Sequence, residues 1–226
     1  MKVEVVTLFP NLLRSFFAES MMARAIADGH LEIVLHNLRD YCVDKHKQAD
    51  DYRFGGGAGM LMMPEPFFSV LEKITSEAPR RPLVVFPTPQ GRQFVQADAA
   101  ELSRHNHLIF ICGHYKGVDQ RVIERWVDRQ YSLGDYVLTG GELATAVIVD
   151  ATARLLPGVL GDFDSARGDS FFEDVLDAPH YTRPEKFQEF GIPGVLAGGH
   201  YKNIVHWRNA LANFITGRHR PDLLKK

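Results

Sequence analysis

Two uninterrupted apolar runs, Leu83-Val84-Val85-Phe86 and Leu108-Ile109-Phe110-Ile111-Cys112, constrain the fold most. Neither alternates with polar residues, so each needs cover on both faces, the condition of a strand inside a parallel sheet. Shorter apolar runs recur at Val3 to Phe9, Leu31 to Leu35 and Trp126 to Leu133. Between them, Pro64 to Thr75 opens on prolines and carries Phe67, Phe68, Leu71 and Ile74 at helical spacing, and Gln93 to Arg104 is similarly compatible with a helix. This alternation predicts an α/β fold around a parallel sheet. Gly141 to Leu156 reads as a further helix on the sheet, with Leu143, Ala146, Val147 and Val149 to Ala151 available for packing. At 226 residues and 45% hydrophobic content, the chain can bury one large core and a small second one.

Gly161 to Ser170 has no sustained apolar period and reads as an interdomain linker. The division predicted is a sheet domain over 1–160, a linker over 161–172 and a helical domain over 173–226. The clearest helix of the last segment runs from His200 to Thr216, with Ile204, Trp207, Leu211, Phe214 and Ile215 near one face and Gly217 as its stop. The net charge of −2 hides an asymmetry: residues 179–226 hold eight Lys/Arg against three Asp/Glu, or +5, leaving 18 − 25 = −7 for the rest. A basic module on an acidic body suits a polyanion held in one place, and a solvated helical surface accounts for the same charges.

Cys42 and Cys112 lie far apart, outside any CxxC or Cys/His zinc spacing, so neither a disulfide framework nor a structural metal is indicated. His105 and His107 read as solvated residues, since two ligands do not make a metal site. The N-terminus lacks the apolar region of a signal peptide and no run approaches a membrane span, which predicts a cytoplasmic protein.

Tyr131 to Glu142, Tyr-Ser-Leu-Gly-Asp-Tyr-Val-Leu-Thr-Gly-Gly-Glu, sets three glycines and an apolar run around one acidic turn. Gly134, Gly140 and Gly141 allow main chain to approach a ligand closely, while Leu133, Tyr136, Val137 and Leu138 supply apolar walls. On local composition alone, an ordinary strand-loop-helix turn is an equal reading. The segment Leu133 to Glu142, however, resembles the AdoMet-binding loop of the bacterial tRNA (guanine-N1)-methyltransferases, the TrmD family. Further blocks stand in the family's order: Thr7-Leu8-Phe9-Pro10, Asp50 through Met62, Pro89-Gln90-Gly91-Arg92, Pro157 to Gly161, Asp169-Ser170-Phe171 and Pro179-His180-Tyr181-Thr182-Arg183-Pro184.

That resemblance implies a SPOUT-type α/β fold whose parallel sheet ends in a deep trefoil knot, formed by the loops near Pro89, Gly113 and Leu133 to Leu138, plus a small, mainly helical C-terminal domain. It implies S-adenosyl-L-methionine (AdoMet) as methyl donor, bound in a bent conformation by Pro89, Gly113, Tyr115, Leu133, Gly134, Asp135, Tyr136, Val137, Leu138, Gly140 and Gly141. It further implies a homodimer with an active site shared between subunits, and methylation of tRNA at N1 of guanosine 37, next to the anticodon. The family has been linked to Mg²⁺, for which the sequence shows no ligand cluster that identifies a site. By the same resemblance, Asp169 is the general base for the N1 proton and Arg154 stabilises charge developing on the guanine oxygen. Read without the family, Asp169 is an ordinary cap or solvated loop residue.

The glycines of Gly55 to Gly59 satisfy neither a dinucleotide fingerprint nor a P-loop, and read as an RNA contact or a wall of the pocket beside Asp50 and Arg53. The chain departs from the family at Gly113-His114-Tyr115-Lys116-Gly117, where family members commonly carry an acid at the position of Lys116. A cation there points to tRNA phosphate or to a different mode of recognising the methionine end of AdoMet. Two alternatives stand beside the main reading: another SPOUT RNA methyltransferase, and a catalytically inactive tRNA-binding relative.

Overall fold

The computed structural model describes residues 1–161 and 168–225, which belong to two compact units, Met1–Gly161 and Asp162–Lys226. Along the first unit run β1 (Lys2–Thr7), α1 (Pro10–Phe17), α2 (Ser20–Ala27), β2 (Glu32–Asn37), the short antiparallel pair β3 (Asp50–Tyr52) and β4 (Met60–Met62), α3 (Pro64–Glu77), β5 (Leu83–Gln93), α4 (Gln96–Leu102), β6 (His107–Ile111), α5 (Gln120–Trp126), β7 (Arg129–Ser132) and α6 (Glu142–Ala153). Five strands form one sheet of order β2-β1-β6-β5-β7, parallel throughout.

The apolar runs become two cores because successive side chains leave a strand on opposite faces. Leu108, Phe110 and Cys112 join Val3, Val5 and Val85 under α1, α2 and α6, whereas Ile109 and Ile111 join Val6, Val84 and Phe86 under α3 and α5. Trp126, expected to open a strand, instead closes α5. Asp119 caps that helix by accepting from Arg121 N at 2.9 Å, and the i, i+4 pair Val122 and Trp126 is buried beside α3, with Trp126 edge-on to Phe68. On α6, Leu143 and Val147, expected to pack, are 61% and 51% exposed, while Ala146, Ile148 and Val149 fill the core.

One acid lies inside the sheet. Glu4 is 3% exposed and accepts from Lys2 Nζ at 2.6 Å, His36 Nε2 at 2.5 Å and His107 Nε2 at 2.9 Å. His107 is therefore half-buried and paired, not solvated as expected, because β6 delivers it beside β1. Burial opposes ionisation of Glu4, but the hydrogen bonds from Lys2 and His36 outweigh it and hold the carboxyl below the ordinary glutamate range.

Strand β5 breaks its register against β7: Pro87 and Arg92 both pair with Tyr131, so residues 88–91 arch away from the ladder. Gly91 makes this crossing possible, since a Cβ there would lie 2.5 Å from the main chain of Gln130 and Tyr131.

The second unit contains a hairpin of β8 (Lys186–Phe187) and β9 (Phe190–Gly191), a single-turn α7 (Gly194–Ala197), α8 (Tyr201–His219) and a 3₁₀ turn at Leu223–Lys225. Gly217 does not stop α8. The helix passes through it and ends before Pro221, where Arg220 takes φ −140 and ψ 60, out of the helical region that a following proline disfavours. Phe214, expected on the packed face, is 64% exposed, while Ala212 and Thr216 are buried. Half of the linker expected over 161–172, residues 162–167, lies outside the described residues.

Candidate active site

Three connections at the carboxyl ends of β5, β6 and β7 surround a cavity of about 390 Å³. Parallel sheets place ligands at this end, where loops leave adjacent strands and main-chain groups converge. The arch of β5 contributes Thr88, Pro89 and Gln90; the β6–α5 connection contributes Gly113 to Val118; the β7–α6 connection contributes Leu133, Gly134 and Tyr136 to Gly141.

The last two connections are joined by main chain. Gly141 N donates to Gly113 O at 2.9 Å, and His114 bridges to Gly140. A Cβ on Gly141 would stand 2.9 Å from Cys112 Cα and Gly113 N, so any larger residue would force the two connections apart. Tyr115 takes φ +58, an unusual conformation for an aromatic residue, and lines the cavity half-exposed.

Beneath these loops lies a polar cluster. Glu142, at the start of α6 and 2% exposed, accepts from Thr7 Oγ1 at 2.5 Å and from His114 Nε2 at 2.7 Å. The Phe9 ring packs on His114 with centroids 4.8 Å apart. A buried carboxylate is tolerated when its oxygens are satisfied, and here that requirement ties β1, the β6–α5 connection and α6 together under the cavity. Cys112 is fully buried, and burial pushes its thiol far above its ordinary value, so it is a core residue and not a thiolate nucleophile.

Every residue of the expected AdoMet set except Asp135 lines this cavity. Arg154 is the C-cap of α6 and is not a lining residue. Asp169 belongs to the second unit and is exposed. Sequence reasoning passed over Thr7, Glu142, Gln90 and Gln120 as site residues; a carboxylate directly after Gly-Gly, at the head of a mostly apolar helix, was the available signal for Glu142.

A profile of the family described as tRNA (Guanine-1)-methyltransferase TrmD matches residues 1–226. Proteins named tRNA (guanine-N(1)-)-methyltransferase from Bacillus cereus strain AH820, Bacillus anthracis strain A0248 and Bacillus thuringiensis subsp. konkukian strain 97-27 are each 47% identical to the chain over 226 residues, covering 100% of it and 93% of their own length. The chain belongs to the TrmD family. Membership makes it a tRNA-modifying methyltransferase by family. Among the described residues of this TrmD-family chain, no group of three or more His, Cys, Asp and Glu could hold a metal ion, and no helix is long and apolar enough to cross a membrane.

Proposed function

We propose that this protein transfers the methyl group of AdoMet to N1 of guanosine 37 in tRNA, giving 1-methylguanosine. The observation that carries the reading is the cavity of glycine-rich main chain at the sheet's carboxyl end, in a chain that matches the family over its full length. The cavity suits AdoMet: Phe86, Leu133 and Leu138 offer apolar surface to an adenosine, Thr88, Gln90 and Ser132 offer polar groups, and Gly113, Gly140 and Gly141 leave room where side chains would intrude. Bound there, AdoMet supplies an electrophilic methyl group on a sulfonium.

The remaining chemistry belongs to the chain. Methylation at N1 requires loss of the N1 proton, which leaves negative charge spread toward the guanine oxygen. In this reading the Asp169 carboxylate accepts that proton and the Arg154 guanidinium stabilises the oxygen. A free aspartate titrates near pH ~4 and is a weak base for guanine, so positioning beside the stabilising cation must carry much of the rate.

The reading extends to a knotted SPOUT sheet and a homodimer. The contact of Gly91 with the main chain of β7, and of Gly141 with that after β6, supports close threading of these segments. The exposed Leu143 and Val147 of α6, with Leu12 of α1 57% exposed, support a second copy packed on this face, its Asp169 serving the neighbouring cavity. The basic C-terminal segment supports a tRNA phosphate contact, and such a protein acts in the cytoplasm.

The test is methyl transfer from labelled AdoMet to a transcript with guanosine at positions 36 and 37, beside an adenosine-37 control, with and without Mg²⁺. Incorporation only into the guanosine transcript is expected. Equal labelling of both transcripts places the methylated atom elsewhere and favours another SPOUT activity; tight tRNA binding with no incorporation favours an inactive relative.

A further inference from the structure

Among the described residues, one lysine or arginine lines the cavity, Lys116. Its backbone N–H donates to Met60 O at 3.0 Å, and its stem lies over Gly59, where a Cβ would be 2.8 Å from Lys116 Cγ and 3.2 Å from Cε. Gly59 takes φ +90, a conformation side chains rarely adopt. The glycine-rich loop between β3 and β4 thus leaves a shelf for the aliphatic stem of a residue that lines the cavity. His114, the other basic group lining the cavity, is held by Glu142, whereas no carboxylate pairs with Lys116 among the described residues.

We propose that Lys116 binds the α-carboxylate of AdoMet and biases the cavity toward the demethylated product. The proposal rests on the AdoMet reading above. AdoMet carries a carboxylate, an ammonium and a sulfonium; an unpaired cation attracts the first and repels the other two. Methyl transfer converts the sulfonium into a neutral thioether, so the same lysine holds S-adenosylhomocysteine more firmly than the donor. An RNA phosphate offers similar anionic chemistry, but the position of Lys116 within the cavity lining, with its stem shelved on Gly59, favours a ligand held in the cavity.

The experiment is calorimetric titration of the full-length protein, without tRNA, using AdoMet, decarboxylated AdoMet and S-adenosylhomocysteine. Wild type is expected to bind AdoMet about tenfold more tightly than the decarboxylated analogue, the scale of one charge-assisted hydrogen bond. Lys116→Met should bring that ratio close to one and reduce the preference for S-adenosylhomocysteine over AdoMet, and Lys116→Arg should restore both. Gly59→Ala, which removes the shelf, should reduce the same ratio while leaving the lysine in place. Discrimination that survives in Lys116→Met overturns the proposal. So does an unchanged ratio accompanied by weaker tRNA binding with a shallower salt dependence, which assigns the cation to phosphate. Wild type that binds none of the three ligands removes the AdoMet reading itself, an outcome distinct from wild type that binds all three alike.

Discussion

In the first unit, β1, β5 and β6 are sealed on both faces, with Val3, Val5, Val85, Ile109 and Phe110 at 0% exposure; in the second, only Ala178, Ala212 and Thr216 are buried among the described residues. Both contain helices, but only the first has a core. The second holds its shape through local ties: Leu176 N donates to Thr216 Oγ1 at 2.8 Å, Thr216 Oγ1 donates to Ala212 O at 2.7 Å, and Arg220 lies over the Phe171 ring. A unit of this kind gains little from apolar burial and much from whatever it binds. In the function proposed above, stability and chemistry are separated: the first unit holds the cavity, and the second carries the proposed base, Asp169.

The sharpest way to break that separation is Asp169→Asn. Turnover should fall by about 10² to 10⁴-fold, the worth of a positioned base, with the melting temperature unchanged. A parallel loss of stability would make Asp169 a structural residue. Next in size, Ile109→Ala should cost about 2–5 kcal/mol in urea unfolding, because it empties a site closed on both sides by strands and covered by α3 and α5; Leu211→Ala, on the half-buried face of α8, should cost less. Equal costs would show a second core.

Glu4→Gln should cost about 1–3 kcal/mol at neutral pH, since it removes a charged acceptor from Lys2, His36 and His107. The carboxyl of Glu4 is held low in the folded chain, so its contribution is present above the unfolded-state value and disappears as pH falls through the folded one. The gap between variant and wild type should therefore close on acidification, and a gap that widens would assign the stabilisation to another group. The smallest effect belongs to Phe214→Ser, within about 0.5 kcal/mol, as for other exposed positions. A larger change that depends on protein concentration would show that a second copy covers it.

The parallel sheet was legible because runs such as Leu108 to Cys112 leave no polar face to expose, whereas the glycine loop was legible through its resemblance to a family segment, its composition alone fitting an ordinary turn equally well. The helix containing Trp126 was misread because an apolar residue at a helix end and one at a strand start look alike without the cap at Asp119. Leu143, Val147 and Phe214 were misplaced for another reason: apolar type does not say which side of a helix meets a neighbour. Glu142 had a signal in its place after Gly-Gly, but its partners in the cluster and the shelf beneath Lys116 had none, since Thr7 and His114 meet Glu142, as Gly59 meets Lys116, only after the chain has folded.

The arch of β5 also bears on the order of assembly. Residues 88–91 become a cavity wall only once β7 lies along β5, with Gly91 against Gln130 and Tyr131. A ligand in the cavity therefore has nothing to grip in a partly folded chain. It should slow the finished structure's unfolding without hastening its formation, acting as a latch fastened only after β7 has docked along β5.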